Sequence, residues 1–291
     1  MDISTKAMLA SLKITQWTCA KKDKEITDEV ITQRQAQRDA GSFNKRLLAK
    51  EQMQNIRQIA GAARNLHYEL TLPWSQDGAR ILPAAMFAKY DAEMRKLKGE
   101  FEIAVRDFIR DYPGYVADAR MRMGGLFKAE DYPDARGVEE KFTWELTISP
   151  LPTGSDFRVN LSKEMTEHLR RDIEERTRKE IETGTRDVWD RVYKVVQHMA
   201  VSLEEYRVVK DDDGKEKKAN PFRDTLVANV RDIAGLLPLL NVTGDPKLNQ
   251  LATDITGKLT LKEPQELRED GKARKKVAKD ARAILEDMKS M

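Results

Sequence analysis

Between Pro83 and Tyr112, Phe87, Tyr90, Met94, Leu97, Phe101, Ala104 and Phe108 recur at alternating spacings of three and four. That interval holds one stripe of an α-helix against partner helices along its whole length. The positions between are mostly Lys, Arg, Glu and Asp, so the rest of the surface faces water. At about 1.5 Å per residue the segment is roughly 40 Å long, more than a small domain is wide. A rod of that length predicts an elongated helical body. Pro83 suits its first turn, and Pro113-Gly114 is expected to close it.

Charge balance supports long helices with one wet face. Charged residues make up 35% of the 291 positions and hydrophobic ones 40%. The 52 Lys and Arg nearly match the 49 Asp and Glu, leaving a formal net charge of +3. A global field that gathers polyanions is therefore weak, and such binding needs a local patch. Cys19 is the only cysteine, which rules out an intrachain disulfide and fits a reducing compartment. No window approaches the roughly 18 apolar residues of a membrane span, and Met1 to Lys22 has no signal-type run, so a soluble, intracellular protein is expected.

The other segments alternate in period. Ser11 to Cys19 reads as a short strand and Lys21 to Lys24 as a charged turn. Thr27 is the expected cap of a helix running to about Ala40. A second helix from about Asn44 carries Leu48, Ile56, Ile59, Ala63 and Leu66. In His67 to Trp74 the alternation of Tyr68, Leu70 and Leu72 predicts a strand ended by Pro73. After the long helix, a further one is expected from Tyr115 to Phe127. Phe142 to Ile148 and Phe157 to Leu161 then read as a β-hairpin. A lone hairpin is marginal, so these strands are expected to join in one small sheet.

Ser162 is the expected N-cap of a helix to about Val209, interrupted or bent near Thr183-Gly184-Thr185. Lys210 to Lys218 carries too much charge to be buried and reads as a loop or linker. Asn220-Pro221, Asp245-Pro246 and Glu263-Pro264 each place a proline at the first turn of a later helix. The fold expected is an α-dominated α+β arrangement: long antiparallel helices with a small, mostly antiparallel sheet over 1–209, and a helical C-terminal module over 219–291.

No strong catalytic signature emerges. His67, His168 and His198 are scattered; His168 and Asp172 share a helix face at i, i+4, most simply as a surface pair. Cys19 lacks an adjacent base and reads as a small core residue. Asp211-Asp212-Asp213, Glu174-Glu175 and Glu139-Glu140 are acidic enough to raise a metal-dependent nuclease, but none has the separated acids and hairpin lysine such a site needs. No Gly-rich phosphate loop is present. The most pointed grouping is basic: Lys272, Arg274, Lys275, Lys276, Lys279 and Arg282 stand against one acid, Asp280. On a helix they present a surface for phosphates, salt-sensitive and indifferent to sequence, without interleaved aromatics for base stacking. Lys163 to Lys179 is also rich in arginine, but acids between offset it.

At Leu72-Pro73-Trp74, at Asp77 through Pro83 (DGARILP) and at Tyr132-Pro133-Asp134, the chain resembles a family of uncharacterised phage and prophage proteins of similar length. The likeness extends to the order of parts between residues 11 and 161. It implies no assigned activity, no catalytic residues and no cofactor. Relatives accompany phage replication, recombination or AAA+ ATPase genes, which implies an accessory role in the cytoplasm of a bacterial host. The leading expectation is a non-enzymatic binding protein acting through helical surfaces, as a homo-oligomer or with a protein partner such as an AAA+ ATPase. The alternatives are a DNA- or RNA-binding accessory factor using the basic C-terminal helix, and a metal-dependent nuclease.

Overall fold

A computed structural model describes residues 3–74, 78–153, 162–210 and 216–289. In chain order its strands and α-helices are β1 (Ala7–Thr15), β2 (Ala20–Asp23), α1 (Lys24–Gln33), β3 (Phe43–Arg46), α2 (Gln54–Leu70), β4 (Leu72–Pro73), β5 (Ala79–Pro83), α3 (Phe87–Met123), α4 (Ala135–Glu139) and β6 (Thr143–Pro150). They continue as α5 (Lys163–Glu205), β7 (Arg207–Lys210), β8 (Glu216–Ala219), α6 (Thr225–Leu240), α7 (Pro246–Leu259), α8 (Pro264–Glu269) and α9 (Gly271–Lys289). The fold is α-dominated α+β, with long helices and a four-stranded sheet in the order β4-β5-β1-β6. The expected return strand at 157–161 lies outside the described residues.

The chain divides into two compact units. One comprises Ser11–Glu69 and Ala88–Thr147, and α3 is its main rod. Tyr90, Met94, Phe101, Ala104 and Phe108 of the seam are buried, while Phe87 is exposed. Pro113 does not stop the helix. α3 runs through it to Met123, 37 residues or about 55 Å, because Tyr112, Ala119 and Met123 continue the buried stripe. Burial of large apolar groups at roughly 1.5–3 kcal/mol each outweighs the one hydrogen bond that proline cannot donate. The helix stops where Gly124 takes a left-handed φ of 51°.

Four assignments around this unit also change. α2 continues through His67 and Leu70, where alternation predicts a strand, because Met53, Ile56, Ala60, Ala63, His67 and Leu70 form one buried three-four stripe. Lys21 to Asp23, expected as a turn, forms β2 and pairs antiparallel with β3, Lys21 opposite Lys45. The helix expected from Asn44 therefore starts ten residues later, at Gln54. Asp23 rather than Thr27 caps α1, its Oδ1 accepting from Ile26 N–H at 3.2 Å. The Thr27 hydroxyl instead accepts from Phe43 N–H at 3.0 Å.

The other unit comprises Met1–Ala10, Leu70–Phe87 and Ile148–Met291. Its helices close a ring: α5 packs on α6 and α9, α6 on α7, and α7 on α9. α5 is 43 residues long and capped by Ser162 as expected. Its inward face is confined to the second half, where Gly184, Val188, Val192, Val196, Met199, Ala200 and Leu203 are buried. Because that half packs with α6 and α9, residues 219–291 share a unit with α5, and the expected boundary between 209 and 219 does not coincide with the division seen. The charged run there is partly a hairpin, β7 pairing with β8; residues 211–215 are outside the described set. α6 begins at Thr225 rather than at Pro221, after Asn220 with φ 50°. The last helix is broken in two at Asp270.

Gly184 does not interrupt α5, which runs unbroken from Lys163 to Glu205, and it lets β4 and β5 approach. A Cβ there would stand 3.3 Å from Ile81 Cδ1 and 3.4 Å from Leu72 Cβ and from the Pro73 carbonyl oxygen. Gly184→Ala should change unfolding free energy by less than about 1 kcal/mol, because better helix propensity offsets the tight contact. Gly184→Leu should cost about 1–3 kcal/mol in urea unfolding, as overpacked sites do.

Candidate nucleic-acid interface

α9 is amphipathic by spacing. Val277, Ala278, Ala281, Ile284 and Leu285 are buried, and the helix packs on α5, α7 and α8. Asp270 fixes its start: Oδ1 accepts from Lys272 N–H at 2.8 Å and Ala273 N–H at 3.1 Å, and these bonds hold its carboxyl below the usual range.

The six basic residues singled out by sequence separate into two groups. Arg282 is bidentate to Glu204 on α5, with Nε 2.9 Å from Oε1 and Nη2 2.6 Å from Oε2, and the bond depresses the Glu204 carboxyl. Arg274 donates to the carbonyls of Leu267 (2.9 Å) and Arg268 (3.2 Å), and its guanidinium lies 4.7 Å from the Tyr206 ring centre. Both arginines hold the helix in place. Lys272, Lys275, Lys276 and Lys279 are exposed and form no ion pair among the described residues. At about 100° per residue these four fall within an arc of roughly 100°, opposite the buried stripe. Tertiary packing thus reduces the basic cluster to a face of four lysines.

A second charged group escaped the sequence analysis. Lys45 Nζ lies 2.9 Å from Asp23 Oδ2 and 2.5 Å from Asp131 Oδ2, and Lys21 Nζ lies 2.6 Å from Asp131 Oδ1. The side chains of Lys45, Asp23 and Asp131 are 2%, 5% and 3% exposed, so this is a buried network with one half-exposed lysine. Four charges sum to zero within it. The Lys45 hydrogen bond, with one from Ile26 N–H, holds the Asp23 carboxyl low. Burial alone raises the Asp131 carboxyl, but the bonds from Lys21 and Lys45 override it and leave it low. Burial likewise lowers the Lys45 ammonium, and its two carboxylates override that and raise it. The acids are 108 residues apart in sequence (131 minus 23), and only the β2–β3 pairing and the turn at Ala129–Asp131 bring them to one lysine. Each carboxylate is engaged by ammonium, and the network reads as a lock on the fold of its unit.

The remaining candidates are structural or exposed. His168 Nδ1 sits 3.1 Å from Asp172 Oδ2 on the surface of α5. His67 is buried, its Nδ1 2.7 Å from the Tyr90 hydroxyl. Cys19 is buried with φ 53°, and burial pushes its thiol up to about 12, which suppresses the thiolate. Glu174 and Glu175 are exposed on α5, and Asp211 to Asp213 lie outside the described residues. Among the described residues no three His, Cys, Asp or Glu side chains converge as metal ligands. No described helix is long and apolar enough to cross a membrane. No family model matches the chain, and no curated protein or solved structure is detectably similar to it.

The buried network contributes to the pH response of its unit. Folding depresses Asp23 and Asp131, so their contribution is full above the unfolded value near 3.9 and is lost as pH falls through the folded values. Folding raises Lys45, whose contribution is full below about 10.4 and is lost as pH rises through its folded value. Lys45→Met should cost about 3–5 kcal/mol at pH 7 by stranding the Asp23 carboxylate and leaving Asp131 to Lys21 alone. That deficit should narrow below about pH 4, where protonation relieves them. Lys21→Met, at a half-exposed site, should cost less than about 1 kcal/mol. Urea unfolding across pH 3–8 checks all three outcomes.

Proposed function

We propose that this protein is a non-enzymatic accessory factor that holds nucleic acid by its phosphates on the outward face of α9. One observation carries the reading: Lys272, Lys275, Lys276 and Lys279 stand together on the solvent face with no carboxylate paired to them, while the neighbouring arginines are engaged in packing. Lys272 lies in the first turn, where the helix dipole disfavours a cation by roughly 0.3–1 kcal/mol. A polyanion laid along this face would offset that cost. Lysines without bidentate partners give contact that depends on charge and tolerates any sequence. The likeness to phage proteins at Leu72–Trp74, Asp77–Pro83 and Tyr132–Asp134 supplies the setting, a phage-encoded factor in the cytoplasm of a bacterial host.

The test is binding of duplex DNA by the full chain across a salt series, read by anisotropy, with the variant carrying Lys272→Gln, Lys275→Gln, Lys276→Gln and Lys279→Gln. Four phosphate contacts give a slope of log affinity against log salt near −3.6, and the variant should lose most of that slope. Affinity at low salt should fall at least tenfold. Equal binding by variant and parent, or no binding by the parent at low salt, rejects the proposal. Magnesium-dependent cleavage of the DNA, abolished by one Asp or Glu change, would replace it with the nuclease alternative.

A further inference from the structure

The C-terminal end of α9 meets a part of α5 that differs in chemistry from the lysine face. Trp189 and Tyr193 stand one turn apart on α5, both half-buried, and neither ring stacks on another aromatic among the described residues. They line a cleft of about 500 Å³ together with Arg186, Asp190, the α7 cap Asp245, Lys247 at the start of α7, and Lys289 at the end of α9. That volume is in the range of small-molecule sites, roughly 300–1,000 Å³. Arg186 and Lys247 form no ion pair among the described residues, whereas Lys289 is held by Glu286 at 2.7 Å.

We infer that this cleft takes one unpaired nucleotide of a nucleic-acid strand, its base against Trp189 and Tyr193 and its phosphate between Arg186 and Lys247. Two adjacent aromatic rings offer a stacking platform, which every base fits, and two free cations offer a phosphate seat. Asp190 and Asp245 keep the cleft from being uniformly positive, which favours a base with polar edges beside a single phosphate over a bare polyphosphate. The inference rests on the nucleic-acid reading of α9 and deepens it. From Lys272 to Lys289 the helix spans about 25 Å, so a strand tracked by the lysines at one end reaches an aromatic site at the other. Paired bases cannot enter such a site, so the cleft confers a preference for single strands.

The full chain is titrated with a mixed-sequence 20-nucleotide single strand, as DNA and as RNA, and with the 20-base-pair duplex. Trp189→Ala should lower single-strand affinity roughly tenfold or more and leave duplex affinity unchanged, while Trp189→Phe retains most of the binding. The pair Arg186→Gln and Lys247→Gln should reduce the single-strand salt slope by about 1.4. Single-strand binding unchanged in a Trp189→Ala protein of native circular dichroism overturns the inference, as does an equal loss for strand and duplex. Should Trp189→Ala unfold, an unchanged slope in the Arg186 and Lys247 variant overturns it instead. Duplex binding that depends on the four lysines, with strand binding indifferent to Trp189, removes the cleft alone. No binding of any nucleic acid by the parent removes both readings.

Discussion

A helix several turns longer than a domain radius must bury its apolar stripe on other elements, and every further feature of this chain is arranged around that demand. In one unit α3 carries the stripe Tyr90, Met94, Phe101, Ala104, Phe108 and Tyr112. In the other, the second half of α5 carries Val188, Val192, Val196, Met199 and Leu203 into a ring closed by α6, α7 and α9. Where local preference disagrees with the stripe, the stripe prevails. Pro113 stays inside α3, and Tyr68 stays inside α2, although each carries a local signal for ending a helix.

Charge serves these units in two physically different ways. Asp23, Lys45 and Asp131 are removed from water, and their value lies in mutual neutralisation: the set is costly to break from one side and contributes little beyond what apolar groups of equal volume would. The arginines around α9 work at the boundary. Arg268 lies 5.0 Å from the Phe222 ring centre and Arg274 4.7 Å from that of Tyr206, and the two rings are 5.2 Å apart. This alternation of guanidinium and ring ties the α8–α9 junction to the end of α5. Lysine, flexible and strongly hydrated, is left for the outward face.

Much of the α-helical framework was legible because period survives burial. The cap at Ser162, the proline start at Pro246 and the seam of α3 are all written locally. Failures occurred where two periods overlapped or where polar residues occupied core positions. His67 completes the α2 stripe without looking apolar, and Lys21 to Asp23 form a strand because Lys45 and Asp131 wait across it. The basic cluster was visible as composition. Its division into four outward lysines and two engaged arginines was not, since Glu204 and Tyr206 lie far from α9 in sequence.

The amino-acid order by itself determined the class of fold, the long rods and their caps, because these depend on neighbours within a turn or two. The tertiary structure decided which charges are satisfied and which aromatics stand beside them: Lys45 between two distant carboxylates, and Trp189 and Tyr193 at the far end of α9. Electrostatic partnership acts through space over a few ångströms, and only the closed chain fixes those distances.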